Sequence, residues 1–521
     1  MINHFPKAYT PYPQQVEAVA AIEAGITAGK RFIVLDAPVG SGKSQTAVTV
    51  ANWSQDAYIL MPRRDLQQQY RQSFDGDLRL VQGRSSMPCT FDQPELNRKT
   101  IKLIESGGRV PQPAVGDSCS TAPCMNVRPP KRKAVLDECA NSGKCPYAAM
   151  LDEACRHHVV VANNHSFYYG SLNGNLPKRR VMIVDEAHNL QPLLRELMTV
   201  SFIIYRKILE TDLVGLKTPQ QFVNWLKFDE QFFTVPNDRR EEYLAKLEKF
   251  EKAGEAVYGR QAIVRVSIER GKTTLEFTPA YVGGAAHSFF FDFADIVVLM
   301  SGTVYDLAQF CNPLGLKTED VHLKRLASDF PAENRPIVMP RNPNLDLSHA
   351  GWDTNIGQAV AEIKRIMAHH GGVKGLIHAP NYRLAEQLQS YLLDTGRAAG
   401  HNRDNFAAKL QAFYESKEPL VFISPSVREG YDFKNDYARF QIIIRPPNPP
   451  VDDPYNKWLL SQGRWDLYYR LGLTDFGQML GRPVRSREDF AVTYLLSSTF
   501  GKFLNKVWGQ IPEWQRRAFV R

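Results

Sequence analysis

Ala37-Pro38-Val39-Gly40-Ser41-Gly42-Lys43-Ser44 is the stretch that decides how this 521-residue chain is read. It follows the apolar run Phe32–Leu35 and precedes TAVTVANW, which begins at Thr46. A strand, a Gly-rich turn and a helix in that order let backbone N–H groups close around phosphate, with a helix N-terminus behind them. Gly40 and Gly42 permit the close approach, Lys43 is placed to reach the β- and γ-phosphates, and Ser44 to ligate magnesium. Ala37 stands where the general pattern has glycine. Residues 37–44 are therefore expected to bind ATP with Mg2+.

Moving outward, Asp185-Glu186-Ala187-His188 comes directly after the run VMIV. A strand ending in two acids puts carboxylates at the C-terminal edge of a sheet, where α/β folds bind ligands. Asp185 is expected to hold Mg2+ through its water shell and Glu186 to polarise the attacking water. Far along the chain, Gln478-Met-Leu-Gly481-Arg482-Pro-Val-Arg485 sets two arginines one helical turn apart. They are expected to point the same way and to stabilise charge on the γ-phosphate. Short apolar runs alternate with helical patterns throughout. Strands are predicted at Phe32–Leu35, Tyr58–Met61, Val159–Ala162, Val181–Val184 and Ile296–Met300. Four more are predicted at Gly375–His378, Leu420–Ile423, Gln441–Ile444 and Val492–Leu496. Two groups of such strands imply two α/β domains in tandem.

Two stretches break the alternation, and both read as insertions into the first domain. Residues 83–157 are rich in Cys, Pro and Gly and carry the basic run Arg128–Lys133. Residues from about 190 to 290 read mainly as charged helices, as in EEYLAKLEKFEKAG from Glu241. Six of the seven cysteines lie between residues 89 and 155. In a cytosolic chain that clustering points to metal or cluster ligation before disulfides, with iron–sulfur and zinc both compatible with thiolates. Cys155 and Cys311 read instead as small core hydrophobes. With 43% apolar and 23% charged residues the composition is that of a globular protein, and the net charge of +9 favours a polyanionic partner. The first residues lack an apolar signal region, and Phe289–Met300 is interrupted by Asp292 and Asp295. A cytoplasmic chain without membrane spans is the expectation.

The motifs in their order resemble superfamily-two helicases: DEAH, Ser301-Gly302-Thr303 after IVVLM, and Gln478/Arg482/Arg485. The Cys-rich insert narrows the resemblance to the iron–sulfur XPD/DinG branch. Gly83-Arg84 leading to Cys89, Cys145-Pro146-Tyr147 and VVVANNHSF are similar to that branch's cluster entry, cluster exit and following strand. Tyr12-Pro13-Gln14-Gln15 resembles the family's adenine-reading motif, through Gln15. Ser424 to Phe433 is similar to its Glu-Gly-x-Asp motif, through Glu429 and Asp432. The strand after the arginines ends at Ser497-Ser498, where the family often has aspartate.

The resemblance implies an ATP-driven 5′-to-3′ translocase on single-stranded DNA, of compact bacterial or phage type, in the cytoplasm or the host cytoplasm. It implies two RecA-like motors, a [4Fe–4S] domain and a helical arch. The resulting divisions are motor 1 at 1–82, 158–190 and 291–305, the cluster domain at 83–157, the arch at 191–290, and motor 2 at 306–521. Cys89, Cys124, Cys139 and Cys145 are the implied ligands; Ala122-Pro123-Cys124 favours Cys124 over Cys119, and zinc stays open on spacing alone. Arg63 and Arg64 after YILM match the place where motors touch a phosphate backbone, and Tyr382 after GLIH is placed to stack a base. The implied partners of a monomeric enzyme are single-stranded DNA and forked duplex, with RNA or an RNA–DNA hybrid left open. A nucleic-acid-stimulated ATPase that remodels complexes without unwinding is the alternative.

Overall fold

The computed structural model describes residues 1–74, 78–83, 86–87, 146–172, 174, 176–213, 215–232, 235–428 and 430–520. They form two compact units. The first comprises Met1–Ile33, Ser44–Leu190 and Ala286–Met300; the second comprises Val34–Lys43, Gln191–Ala285 and Ser301–Arg521. Among the described residues no helix is long and apolar enough to cross a membrane.

The predicted strands form. In chain order they are β1 (Phe32–Asp36), β2 (Ala57–Met61), β3 (Leu78–Val81), β4 (Val159–Asn163), β5 (Arg179–Val184), β6 (Val200–Ile204), β7 (Ala262–Glu269), β8 (Lys272–Pro279) and β9 (Ala294–Ser301). They continue as β10 (Val321–Arg325), β11 (Ile337–Val338), β12 (Gly375–His378), β13 (Ala398–Ala399), β14 (Val421–Ser424), β15 (Phe440–Ile443), β16 (Val492–Leu495) and β17 (Phe519–Val520). One seven-stranded sheet has the order β10-β1-β9-β5-β2-β4-β3 and another β13-β14-β12-β15-β16-β11-β17. The neighbours β3/β4, β4/β2, β2/β5 and β5/β9 pair in parallel. So do all neighbours of the second sheet. Every residue of β2 and β4 is buried, the continuous apolar pattern of parallel strands covered on both faces. The fold is thus tandem α/β, as expected.

Helices α1 (Pro13–Thr27), α2 (Lys43–Ser54) and α3 (Arg64–Ser73) belong to the first half of the chain. Only two residues of α3 are fully buried, Gln67 and Tyr70, three apart on one face. Gln67 Nε2 donates to Val81 O at 2.8 Å and Val161 O at 2.9 Å, which fastens the helix to the end of β3 and the middle of β4. Tyr58 of β2 sits under the Phe167 ring, 4.9 Å between centroids, and its hydroxyl donates to Pro177 O at 2.7 Å.

The stretch from 190 to 290 departs from expectation. Its helices Pro219–Phe232 and Asn237–Tyr258 are present, but β6, β8 and β7 form a three-stranded antiparallel sheet beside them. The long Glu/Lys run dominates the period of this stretch and masks the period-two alternation of its strands. In β8, Thr273, Leu275, Phe277 and Pro279 face inward and the residues between them do not. Arg270 at φ 49° and Gly271 at φ 77° close β7 onto β8 with the two left-handed residues a tight hairpin requires. Phe202, Phe222, Phe250 and Phe277 fill the space between sheet and helices.

In the second sheet a polar chain crosses three strands. His378 Nε2 pairs with Gln441 Oε1 at 2.9 Å, and Gln441 Nε2 donates to Thr493 Oγ1 at 2.8 Å. Burial pulls the His378 imidazole down to about 4, with Arg428 and Arg482 adding to the effect, so it is neutral at physiological pH. Cys311 is buried as expected, whereas Cys155 is exposed on the helix Pro146–Arg156; its place at a helix edge, not its residue type, sets its exposure.

Candidate functional site

In the second unit the loop Ala37–Lys43 leaves the end of β1. Ala37 N donates to Ser301 O at 2.8 Å, which ties the loop to the Ser-Gly-Thr stretch after β9. Gly40 at φ 84° and Gly42 at φ 76° hold left-handed conformations that a side chain would oppose. Lys43 is buried, with Nζ 3.2 Å from Ala37 O and 3.4 Å from Pro38 O. A Cβ on Gly302 would lie 3.1 Å from Ala37 O and 3.6 Å from Lys43 Nζ, so that glycine keeps the lysine close. Asp36, which sequence reasoning passed over, accepts from Val304 N at 3.4 Å and faces Arg325 Nε at 3.4 Å. Burial nevertheless raises its carboxyl to about 6. Beside it a cavity of about 530 Å³ is lined by Asp36, Pro38, Gly302, Tyr305, Arg325 and Trp514.

Within the same unit, Gln478 on the helix Trp465–Leu480 points Nε2 at Thr303 Oγ1, 3.5 Å away. Arg482 donates to Gln478 O and Oε1, each at 3.0 Å, and to Tyr431 O at 2.9 Å. Arg485 NH2 donates to the same Tyr431 O at 3.3 Å, and its Nε lies 3.5 Å from Asp432 Oδ1. The two arginines converge, but not along a helix. The helix ends at Leu480 with Gly481 as its cap, and Pro483 can supply no N–H for a further turn. Gly481 abuts the phosphate loop: a Cβ there would meet Val39 Cγ2 at 2.6 Å. Asp432 also pairs with Lys434 Nζ at 3.4 Å. Glu429 lies outside the described residues. Ser497 Oγ accepts from Leu347 N at 3.0 Å and pairs with Thr499 Oγ1 at 2.8 Å, so the departure from aspartate there serves a buried turn.

The first unit holds Ser44, Asp185, Glu186 and Gln15. Asp185 is buried at the end of β5; its Oδ1 accepts from Glu186 N at 3.0 Å and its Oδ2 from Tyr70 Oη at 2.8 Å. Burial and the Asp185 charge hold that phenol well above its ordinary range, so it stays protonated. Glu186 is left-handed at φ 48°, ψ 49°, and its Oε2 faces His188 Nδ1 at 3.4 Å. Gln15 is buried in α1, where its Oε1 caps the helix by accepting from Tyr12 N at 2.8 Å.

Arg63 and Arg64 stand at the start of α3; Arg63 forms a two-point pair with Asp65, 2.7 Å at its shorter contact. Tyr382, in the second unit, starts the helix Tyr382–Tyr391, with Oη 2.7 Å from Ser426 Oγ and Arg403 5.4 Å above its ring. His401 was also missed from sequence; it lies 5.6 Å from Tyr382 and 2.8 Å from Ser424 Oγ. Cys89, Cys119, Cys124, Cys139 and Cys145 lie outside the described residues. Among the described residues no group of three or more His, Cys, Asp or Glu is placed to hold a metal ion.

Comparison with known families matches residues 363–518 to the helicase C-terminal domain and residues 8–213 to the res subunit of type III restriction enzymes. No curated protein matches the chain. The chain thus carries a helicase C-terminal domain, and the two matches in order support an ATP- and Mg2+-using enzyme that works on nucleic acid. Among solved structures, an XPD helicase aligns over 96% of this chain and 98% of its own, with TM-score 0.60 and 13% identity. The S. tokodaii Xpd4 structure aligns over 98% and 99%, with TM-score 0.53 and 13% identity. The fold is XPD-like, two parallel-sheet α/β domains in tandem.

Proposed function

We propose that this chain is a helicase, a 5′-to-3′ translocase on single-stranded DNA that separates strands at a fork. The observation that carries the reading is the packing of Gly481 on Val39. It backs the loop of Lys43 with the very stretch that presents Arg482 and Arg485. In this reading Lys43 and the N–H groups of residues 37–44 bind the phosphates, and Gln15 lies against adenine. Ser44 and Asp185 hold Mg2+; a hydroxyl and a carboxylate are the hard oxygen donors that ion takes. Glu186 orients the attacking water. Arg482 and Arg485, with Gln478, stabilise charge on the γ-phosphate, and Glu429 and Asp432 contribute to the ATP and Mg2+ site. Arg63, Arg64 and Tyr382 contact the strand.

The same reading assigns residues 83–157 to a [4Fe–4S] domain ligated by Cys89, Cys124, Cys139 and Cys145, supported by the clustering of thiols and the order of motifs. Residues 191–290 become the arch, and the enzyme acts as a cytoplasmic monomer. The test pairs ATP turnover, with and without single-stranded DNA, with strand displacement on forks bearing a 5′ or a 3′ tail. Turnover should rise with DNA and only the 5′-tailed fork should open; Lys43→Ala should end hydrolysis, and Glu186→Gln should bind ATP without turning it over. Hydrolysis at the wild-type rate in both variants would refute the site, and opening of the 3′-tailed fork alone would reverse the polarity.

A further inference from the structure

We propose that Tyr70 is a positioning residue that ties Asp185, one of the two magnesium-holding groups, to the helix bearing the candidate strand-binding arginines. The proposal rests on the reading that Ser44 and Asp185 hold Mg2+.

Tyr70 is almost wholly buried in the first unit, and its ring packs on Phe74 at 5.5 Å. Its hydroxyl meets one of the two oxygen donors: Tyr70 Oη donates to Asp185 Oδ2 at 2.8 Å. With Glu186 N on Oδ1, the Asp185 carboxylate is then fixed at both oxygens. Each oxygen keeps a second lone pair for the water shell of the ion.

The same helix begins with Arg64, next to Arg63, six residues or roughly 9 Å of helix axis from Tyr70. Gln67 lies between them and is bonded to Val81 O and Val161 O. A shift at the arginines must therefore either break those two bonds or reach the Tyr70 hydroxyl. Nothing in a purely structural tyrosine requires its one polar atom to lie on this carboxylate.

Coupling of this kind is reciprocal, so strand binding should tighten magnesium binding. The experiment titrates Mg2+ into the whole protein with a fluorescent non-hydrolysable ATP analogue, with and without an oligo(dT) strand. In wild type the strand should lower the Mg2+ concentration at half-saturation. Tyr70→Phe keeps the ring and removes the hydroxyl. It should raise that concentration about tenfold or more and abolish the shift caused by the strand. If Tyr70→Phe lowers only the melting temperature, or shifts Mg2+ affinity while the strand effect persists, the proposal is overturned. Arg63→Ala/Arg64→Ala, titrated at a strand concentration that still saturates the variant, provides a second route that leaves Tyr70 intact: it should remove the strand effect, and a strand effect retained at saturation overturns the link. Lys43→Ala separates the two levels. If that variant hydrolyses ATP normally, the nucleotide site itself is misassigned; if it is dead while Tyr70→Phe behaves as wild type, only the role of Tyr70 falls.

Discussion

Replacing Gly481 with alanine isolates the contact between the arginine-bearing stretch and the phosphate loop. Gly481 caps the helix Trp465–Leu480 at φ −82°, a conformation alanine adopts without strain. On backbone grounds alone the change should stabilise by about 0.4–1 kcal/mol, through the loss of freedom in the unfolded chain. The surroundings oppose it, because the new methyl would lie 2.6 Å from Val39 Cγ2 and 2.8 Å from Val39 Cβ. Ordinary carbon contacts need about 3.5–4 Å, so Val39 or the cap must retreat by roughly 1 Å. Overpacking of that size costs about 1–3 kcal/mol, which exceeds the backbone gain. A 1 Å displacement of the loop that carries Lys43 is also enough for about a hundredfold loss of turnover. Gly501 is the control: it lies in the helix Thr499–Val507, and a methyl added there would have nothing within 4 Å, so alanine should stabilise and leave turnover alone. Steady-state ATPase and thermal unfolding of both variants decide the matter. If Gly481→Ala is as active as wild type and melts higher, as Gly501→Ala should, the loop does not depend on this packing.

Asp36 supplies a pH signature. Its carboxyl is raised from 3.8 to about 6, so its favourable contribution is complete below about pH 4 and is lost as pH rises through 6. At pH 7 the loss is at most about 3 kcal/mol, and Asp36→Asn, which cannot ionise, should gain on wild type by up to that amount between pH 4 and 7; a pH-independent difference in unfolding free energy contradicts this. Arg485→Ala should remove the stimulation of ATPase by single-stranded DNA, and a variant stimulated like wild type would show that the arginine does not read the nucleotide. Cys145→Ser should abolish the brown absorbance and the bound iron of anaerobically purified protein and stop unwinding, while Cys119→Ser keeps both; zinc without iron in the wild type excludes the cluster.

The parallel strands were legible because each is a short apolar run followed by a motif, and β12 begins and ends where the residues indicate. The hairpin β7/β8 was not, because its alternating residues lie next to a long Glu/Lys helix whose period dominates the region. The end of the helix at Leu480 was written in Gly481 and Pro483, but the spacing of Arg482 and Arg485 invited a helical reading. Lys43, Asp185 and Arg482 could be picked out since their types and neighbours announce charge chemistry. Tyr70 and Asp36 could not: one looks like a core aromatic and the other like a strand-end acid, and only the fold brings them beside Asp185 and Val304.

The chain of His378, Gln441 and Thr493 bears on how the second sheet finds its pairing. Gln441 stands directly opposite Thr493, and His378 reaches it diagonally from β12. A ladder of aliphatic strands is indifferent to a slip of two residues, which returns every side chain to its own face. Here such a slip would set Ala491 or Leu495 against the Gln441 amide and strand its donors in a dry interior, at a cost of about 1–3 kcal/mol for each unsatisfied group. The three polar side chains thus act as a key cut for one alignment. Swapping them for leucine and valine could leave the sheet as stable as before, yet it would free the strands to assemble one step out of phase and carry the loops that follow them to the wrong place.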